Sequence, residues 1–202
     1  MKTLRFFLFV LCLLPPARGD DQFERIRDIS PNKKLAMRVV CGSRPDDPEN
    51  IDSAIIQSIT LISLPDKKTA LQLLPAEDVG STFQGLKLVW SPDSKWCAFY
   101  YAAPRVGYTH VFRLAGGKFV PTVKPEDLRV NLPKEGEVRD EFISPMKWIK
   151  PGELLLEQDS IFRASDNEPS DSTWEFTALF HPSGKSYKIT SKRQVTTPPP
   201  SD

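Results

Sequence analysis

Histidine, the side chain that most often acts as a general acid or base, is scarce in this chain. Only two of its 202 residues are histidines: His110 lies inside an alternating apolar run, and His181 precedes a Pro-Ser-Gly turn. A hydrolytic serine needs a histidine within hydrogen-bond reach, and the chain has no Gly-x-Ser-x-Gly elbow that would present one. We therefore predict structural roles for both histidines, no catalytic residue and no enzyme activity, with a hydrolase as the weakest alternative.

Two loops rich in carboxylates, residues 46–52 and 165–171, are the candidates for a cation site. Calcium takes six to eight oxygen ligands, but neither loop has the spacing and central glycine of a helix-loop-helix site, and Pro48 interrupts the first. Zinc would need clustered His or Cys residues, and the chain has no glycine-rich phosphate loop. We expect solvated loops, no metal site and no cofactor.

Aromatic and arginine side chains beside the acidic loops are the candidates for a binding surface, because such residues supply much of the energy of known interfaces. Tyr108 and Trp174 each begin the third strand of a predicted four-stranded set. The predicted binding residues are Tyr108, Trp174, Arg105, Asp46, Asp47 and Asp166.

The first residues predict the compartment. Lys2 and Arg5 precede an apolar run from 6 to 14, and a short segment with small residues ends at Gly19. Together these features predict a signal peptide over residues 1–19, cleaved before Asp20. The run is too short to span a bilayer, and no second apolar stretch approaches that length. The expected location is extracytoplasmic, either periplasmic or secreted, with no membrane span.

Charge and cysteine content narrow the partners and the redox chemistry. With 27 basic and 26 acidic residues, the chain gives no reason to expect nucleic acid as a partner. Cys41 and Cys97 remain after cleavage. Aligning their strands places them roughly 16 Å apart at about 3.3 Å per residue, while a disulfide needs Cα atoms within about 7 Å. Two free, buried thiols are favoured over a bridge.

Short apolar segments joined by turns recur in sets of four, which is typical of antiparallel meanders. The predicted domain covers residues 20–195, with sets at about 23–75, 86–123 and 141–192, and residues 196–202 form an extended, disordered tail. The run from Trp96 to Tyr101 is apolar at both odd and even positions, so sheets are expected to pack on both of its faces.

The second set carries a recognisable turn, Trp90-Ser91-Pro92-Asp93-Ser94-Lys95. It resembles the turn of TolB-type, WD-like propeller repeats, and weaker copies stand at Ser30-Pro31 and at Trp148 with Pro151 and Gly152. The resemblance implies four-stranded propeller blades and a protein partner, without saying which partner.

Three blades are too few to close a propeller ring. The predicted fold is therefore all-β, a propeller-like array of about three four-stranded antiparallel blades that is either open or completed by dimerisation, with a β-sandwich as the alternative. The predicted function is a non-enzymatic extracytoplasmic module for protein–protein interaction. The alternative is a carbohydrate- or small-ligand-binding module that uses the loops between the second and third strands of each set.

The connections of such meanders lie at two ends. We call the end with the first-to-second and third-to-fourth strand turns the turn end, and the opposite end the loop end. Lysines are expected to gather at the turn end and carboxylates, Glu126 and Asp127 among them, at the loop end. Lysine and aspartate are also ordinary turn residues, and this interpretation is favoured over a functional one. The functional alternative is that one end docks a partner of opposite charge, since fields of this kind steer association.

Overall fold

The computed structural model describes residues 22–47, 51, 54–132, 137–163 and 169–195. These residues form twelve β-strands and two short 3₁₀ turns, so the all-β prediction is confirmed. The strands are β1 Phe23–Arg27, β2 Leu35–Cys41, β3 Ile56–Ser63, β4 Thr69–Gln72, β5 Gln84–Trp90, β6 Trp96–Ala102, β7 Val106–Ala115, β8 Lys118–Pro121, β9 Glu137–Lys150, β10 Glu153–Arg163, β11 Pro169–Phe180 and β12 Tyr187–Val195. The 3₁₀ turns are Ala76–Asp78 and Pro125–Asp127.

The first four strands form one antiparallel sheet in the order β1-β2-β3-β4. Alternate residues of β2, namely Met37, Val39 and Cys41, are fully buried and belong to one core cluster. On β3, Ile59 stands opposite Val39 and is buried in the same cluster. Period-two alternation thus fixes which face of this sheet meets the rest of the molecule.

The remaining strands form one eight-stranded sheet, where separate second and third blades were predicted. Strands β5 to β8 and β9 to β12 are each antiparallel, but β7 and β9 pair in parallel at Val106–Glu141 and Gly107–Phe142. The physical reason is the length of β9. It begins at Glu137, four residues before its predicted start, and its early residues therefore run beside the start of β7.

The two faces of β6 contact two different cores, as the sequence predicted. Cys97 and Phe99 pack in the cluster shared with the first sheet. Trp96 and Ala98 pack in a second cluster with residues of β9 to β11, including Phe176. Full burial of a side chain such as Phe99 contributes about 1.5–3 kcal/mol, so β6 holds the two layers around it together.

A tryptophan side chain donates a hydrogen bond to the backbone of the preceding four-stranded set at two junctions. One junction joins β1–β4 to β5–β8, and the other joins β5–β8 to β9–β12. Trp90 Nε1 donates to the Asp28 carbonyl at 2.7 Å, and Trp148 Nε1 donates to the Val89 carbonyl at 3.0 Å. Asp28 stands two residues before the turn serine Ser30, and Val89 stands two residues before Ser91. The acceptors therefore occupy equivalent positions in successive sets, and the donors lie near the ends of β5 and β9. We call this contact the indole joint.

The Ser-Pro turns close in a common way. Ser30 Oγ accepts the Leu35 N–H at 3.0 Å, and Ser91 Oγ accepts the Trp96 N–H at 3.0 Å. Each turn contains a residue in the left-handed region, Lys33 at φ 58° and Ser94 at φ 57°. The hydroxyl satisfies a strand-end donor that the sharp turn leaves without a ladder partner.

Cys41 and Cys97 are both free and fully buried in the first core cluster, which confirms the prediction of two free thiols. Burial raises the pKa of both thiols, and for Cys97 the shift is large. A raised pKa leaves little reactive thiolate at neutral pH.

The signal peptide predicted over residues 1–19 and the tail over 196–202 lie outside the described residues. Among the helices that are described, none has the length and apolar character needed to cross a membrane.

Candidate functional site

Arginines converge at the loop end of the eight-stranded sheet. Arg105, Arg139 and Arg163 line a pocket of about 130 Å³ together with Glu137 and Val138, and we call these five residues the arginine pocket. Arg105 was predicted from the sequence to belong to a binding surface, and here it is joined by residues from two further strands.

Strand pairing places these side chains together. The Arg105 carbonyl accepts the Glu141 N–H at 3.0 Å, which fixes the start of β7 against β9. Arg163 ends β10 directly opposite Glu137, and a register shift between Ile161 and Phe162 of β10 leaves Arg139 as an extra residue of β9. A bulge of this kind redirects side chains at a sheet end.

One arginine of the pocket is held internally. Arg139 donates from Nε and Nη2 to Asp140 Oδ2, at 3.0 Å and 2.7 Å. Asp140 is only 7% exposed, and its Oδ1 has no hydrogen-bond partner among the described residues. A two-bonded fork onto a buried carboxylate orients the Arg139 guanidinium firmly.

The other two arginines of the pocket, Arg105 and Arg163, are exposed to solvent. The ion pairs found among the described residues include neither Arg105 nor Arg163. Two apolar side chains accompany them at the same end, Val106 at 42% and Val138 at 45% exposure. Exposed arginines beside exposed aliphatic residues offer both a charge and an apolar contact to a partner.

Tyr108 lies behind this end, near a buried polar cluster that anchors the segment 122–132, which we call the crossing segment. Gln158 is fully buried, and its Oε1 accepts the Val130 N–H at 2.7 Å while its Nε2 donates to Glu141 Oε1 at 3.2 Å. Arg129 Nη1 donates to Glu141 Oε2 at 3.3 Å. Burial and the nearby Glu141 carboxylate raise the pKa of Tyr108.

Trp174 lines a separate hollow of about 110 Å³. Its Nε1 donates to Ser172 Oγ at 2.9 Å, and the Lys192 ammonium lies 5.8 Å from its ring centroid. The sequence predicted Trp174 at the start of this strand, but β11 begins at Pro169, so Trp174 lies inside the strand. The indole is therefore largely engaged by its own strand and by β12.

The remaining predicted site residues do not join this group in the described structure. Asp46 and Asp47 lie in the β2–β3 connection of the first sheet, whereas Arg105, Tyr108 and Trp174 belong to the eight-stranded sheet and its loops. Asp166 lies outside the described residues.

The histidines occupy packed and turn positions. His110 stacks on Tyr101 with 5.4 Å between ring centroids and 17° between planes, and burial lowers its pKa. His181 Nδ1 accepts the Ser183 N–H at 3.2 Å within a turn. In the part of the chain that is described, no group of three or more His, Cys, Asp or Glu residues is arranged to hold a metal ion.

The turn end brings the first turns of neighbouring sets side by side. The Asn32 N–H donates to Ser94 Oγ at 3.1 Å, and the Leu64 N–H donates to the Lys34 carbonyl at 2.8 Å. Lysines of these turns therefore share one end, as the sequence indicated. The loop-end placement of Asp127 is wrong, because its carbonyl accepts the hydroxyl of Tyr187, the residue that follows the β11–β12 turn.

Sequence reasoning missed Val138, Arg139 and Arg163 as site residues. Residues 124–140 fall between the predicted sets 86–123 and 141–192, so the first four residues of β9 were assigned to the connection between the sets. Val138 is the only apolar residue from Glu137 to Glu141, so period-two alternation gives no signal that would have extended the strand.

Comparison with known proteins identifies no relative. No protein-family model matches the chain, and a search of curated proteins finds no match either.

Proposed function

We propose that the chain is a non-enzymatic, extracytoplasmic binding module of propeller-like, TolB-type repeats, and that its partner is a protein docking on the arginine pocket and the adjoining valines. The observation that carries the proposal is the combination of uncommitted Arg105 and Arg163 with exposed Val106 and Val138 at one end of a rigid sheet. Interfaces are enriched in arginine, and binding energy concentrates where apolar and charged groups are desolvated together.

The blade interpretation is supported by the indole joint and by the two buried faces of β6. Tryptophans near the ends of β5 and β9 bind equivalent carbonyls of the preceding four-stranded set, and the apolar faces of β6 belong to two separate clusters. Stacked sheets of this kind leave the connections at the two ends as the accessible, variable surfaces.

The partner surface we propose is electrostatically selective. Arg139 is neutralised by Asp140, while Arg105 and Arg163 bring two further positive charges against one carboxylate, that of Glu137. A partner group carrying a carboxylate can bind such a guanidinium in the two-bonded fashion that Asp140 uses with Arg139. An acidic surface flanked by apolar side chains is the complement of this pocket.

The carbohydrate- or ligand-binding alternative rests on Trp174 and draws less support. Stacking on a sugar needs a free indole face, and the Lys192 ammonium lies over the Trp174 ring. A glycan array with Trp174→Ala as the comparison tests it: glycan binding that the substitution abolishes would favour this alternative.

The main proposal is tested by cross-linked affinity capture from the extracytoplasmic fraction of the source cells, followed by mass spectrometry. The wild type and an Arg193→Glu control should retain the same protein, because Arg193 is already paired with Glu175 far from the pocket. Arg163→Glu and Val138→Asp should each reduce its recovery by about tenfold. Equal recovery with all four baits, or no recovered protein, would contradict the proposal.

A further inference from the structure

A cavity of about 540 Å³ lies at the turn end of the third set, at the opposite end of β11 from the arginine pocket. Its lining includes Pro151, Leu179, Phe180, Pro182, Tyr187 and Lys188, and we call it the aromatic–proline cavity. None of its lining residues is a carboxylate. It plays no part in the proposed function.

The aromatic walls of this cavity are held in place before anything binds. Phe180 is 3% exposed, and the ring centroids of Phe180 and Tyr187 lie 5.9 Å apart. The Tyr187 hydroxyl donates to the Asp127 carbonyl and accepts the Arg129 N–H at 3.3 Å, so the crossing segment fixes the ring. A rigid aromatic surface loses little entropy on binding.

The cavity has the chemistry that favours a proline-rich segment. Polyproline II chains have no internal hydrogen bonds, are ordered before binding and pack their rings on aromatic-lined grooves. Lys188 and the adjacent Lys185 are exposed, while the neighbouring Glu153 carboxylate is taken by Lys150 at 2.9 Å. The rim is therefore positive, and a proline segment that carries an acidic residue fits it.

We propose that the aromatic–proline cavity binds the segment from Thr196 to Asp202 of a second copy of this chain. That segment contains three consecutive prolines, 198 to 200, followed by the acidic Asp202, and it has no basic residue. Its prolines match the apolar walls, and its carboxylate matches the lysines of the rim.

The same chain cannot supply the segment to its own cavity. β12 carries the chain from Tyr187, which lines the cavity, to Val195, a distance of about 26 Å at about 3.3 Å per residue. Pro200 follows Val195 by five residues and can return at most about 16 Å in polyproline II geometry at about 3.1 Å per residue. The occupant must therefore come from another copy.

Exchange between two copies makes two equal contacts. Each copy gives its segment and receives the other's, which is the isologous arrangement of a two-fold dimer. The second contact then forms within the assembly, so two weak contacts produce a much tighter dimer.

Analytical ultracentrifugation of the signal-cleaved chain between 1 and about 100 μM tests the proposal. Wild type should associate. Leu179→Asp, in the cavity, and the triple variant Pro198→Ser, Pro199→Ser, Pro200→Ser should each weaken dimerisation by more than about tenfold. Val138→Asp is the control and should associate as wild type does, so this result is separate from the fate of the arginine-pocket proposal. Near-ultraviolet circular dichroism verifies that each variant is folded.

Mixing the two defective variants gives the sharper measurement. Leu179→Asp keeps an intact proline segment and the triple variant keeps an intact cavity, so a mixture should form a one-contact heterodimer that neither forms alone. A monomeric wild type at 100 μM, association that survives the triple substitution, or association unchanged by Leu179→Asp would each overturn the proposal.

Discussion

The indole of Trp148 donates a hydrogen bond to the Val89 carbonyl at 3.0 Å, and this bond links β9 to the edge strand β5. Trp90 makes the equivalent bond to Asp28, one set earlier. Trp148 is also packed between Trp96 and Phe180, at 5.9 Å and 6.2 Å between ring centroids. Tryptophans that precede the first turns of the second and third sets thus make a repeated contact with the set before them.

Replacing the indole should weaken this joint measurably. Trp148→Phe removes a buried hydrogen bond and leaves the Val89 carbonyl without its indole donor. It also replaces the indole by a smaller ring in a packed cluster. We expect unfolding free energy to fall by about 2–3 kcal/mol, measured by urea denaturation. Trp174→Phe is the matched control, since its partly exposed indole N–H donates to Ser172 within the same strand. A loss of stability equal to that of Trp148→Phe would contradict the role of the indole joint.

A left-handed residue offers a stabilising substitution. Lys33 adopts φ 58° in the Ser-Pro turn, and its side chain is exposed. Glycine adopts this conformation without steric cost, whereas other residues lose roughly 1 kcal/mol there. Lys33→Gly should therefore raise unfolding free energy by about 0.5–1 kcal/mol in denaturant titrations.

The control for Lys33→Gly is the equivalent position of the second set. Ser94→Gly relieves the same strain at φ 57° but removes the hydroxyl that accepts the Asn32 N–H. Its net gain should be smaller than that of Lys33→Gly. A destabilised Lys33→Gly variant would show that the backbone strain is not the dominant cost.

The buried polar anchor of the crossing segment should be costly to break. Gln158→Leu removes both hydrogen bonds to Val130 and the one to Glu141 at a fully buried site. Buried groups left without partners cost about 1–3 kcal/mol each, so a loss of about 3–4 kcal/mol is expected. Amide hydrogen exchange at Val130 should accelerate, while exchange at Val39 in the first sheet should follow only the global stability change.

Burial of His110 makes stability fall as pH is lowered. Its folded-state pKa is below its ordinary value, because burial disfavours the charged imidazolium, while Asp78 and Glu126 oppose the shift. The unfolded chain therefore binds the proton more readily, and stability is lost as pH falls below about 6.5. Denaturation of wild type between pH 7.5 and 5.5 should show this loss.

His110→Phe isolates that effect, because it keeps a ring against Tyr101 but cannot titrate. The difference in unfolding free energy between wild type and His110→Phe should grow in favour of the variant as pH falls. A difference that stays constant with pH would show that His110 remains neutral in both states over this range.

The sequence predicted the strands well because their signals are local. The short apolar runs of β2 and β6, each preceded by a Ser-Pro turn, define strands and hairpins within a dozen residues. The joining of β7 to β9 was not predictable in this way, since it depends on two residue pairs separated by 35 positions in the chain. The double-faced burial of β6 was predictable because both of its residue parities are apolar.

The candidate site was only partly accessible from the sequence. Arg105 could be placed at a strand end, but its grouping with Arg139 and Arg163 requires the β9–β10 register and its bulge. Trp174 was predicted at the start of a strand, whereas β11 begins at Pro169 and places Trp174 inside it. Propensity locates a strand more reliably than its ends, so residues near strand ends are where such predictions fail.

The parallel contact between β7 and β9 spans only two residue pairs, and its narrowness has a consequence for folding order. Each four-stranded set is complete in its own ladder hydrogen bonds, and each layer packs on the one synthesised just before it. A newly made chain can therefore mature from its amino-terminal side, with the last layer added as a late, reversible docking step. Under mechanical load or mild denaturant, the residues from 137 onward should be the first to peel away.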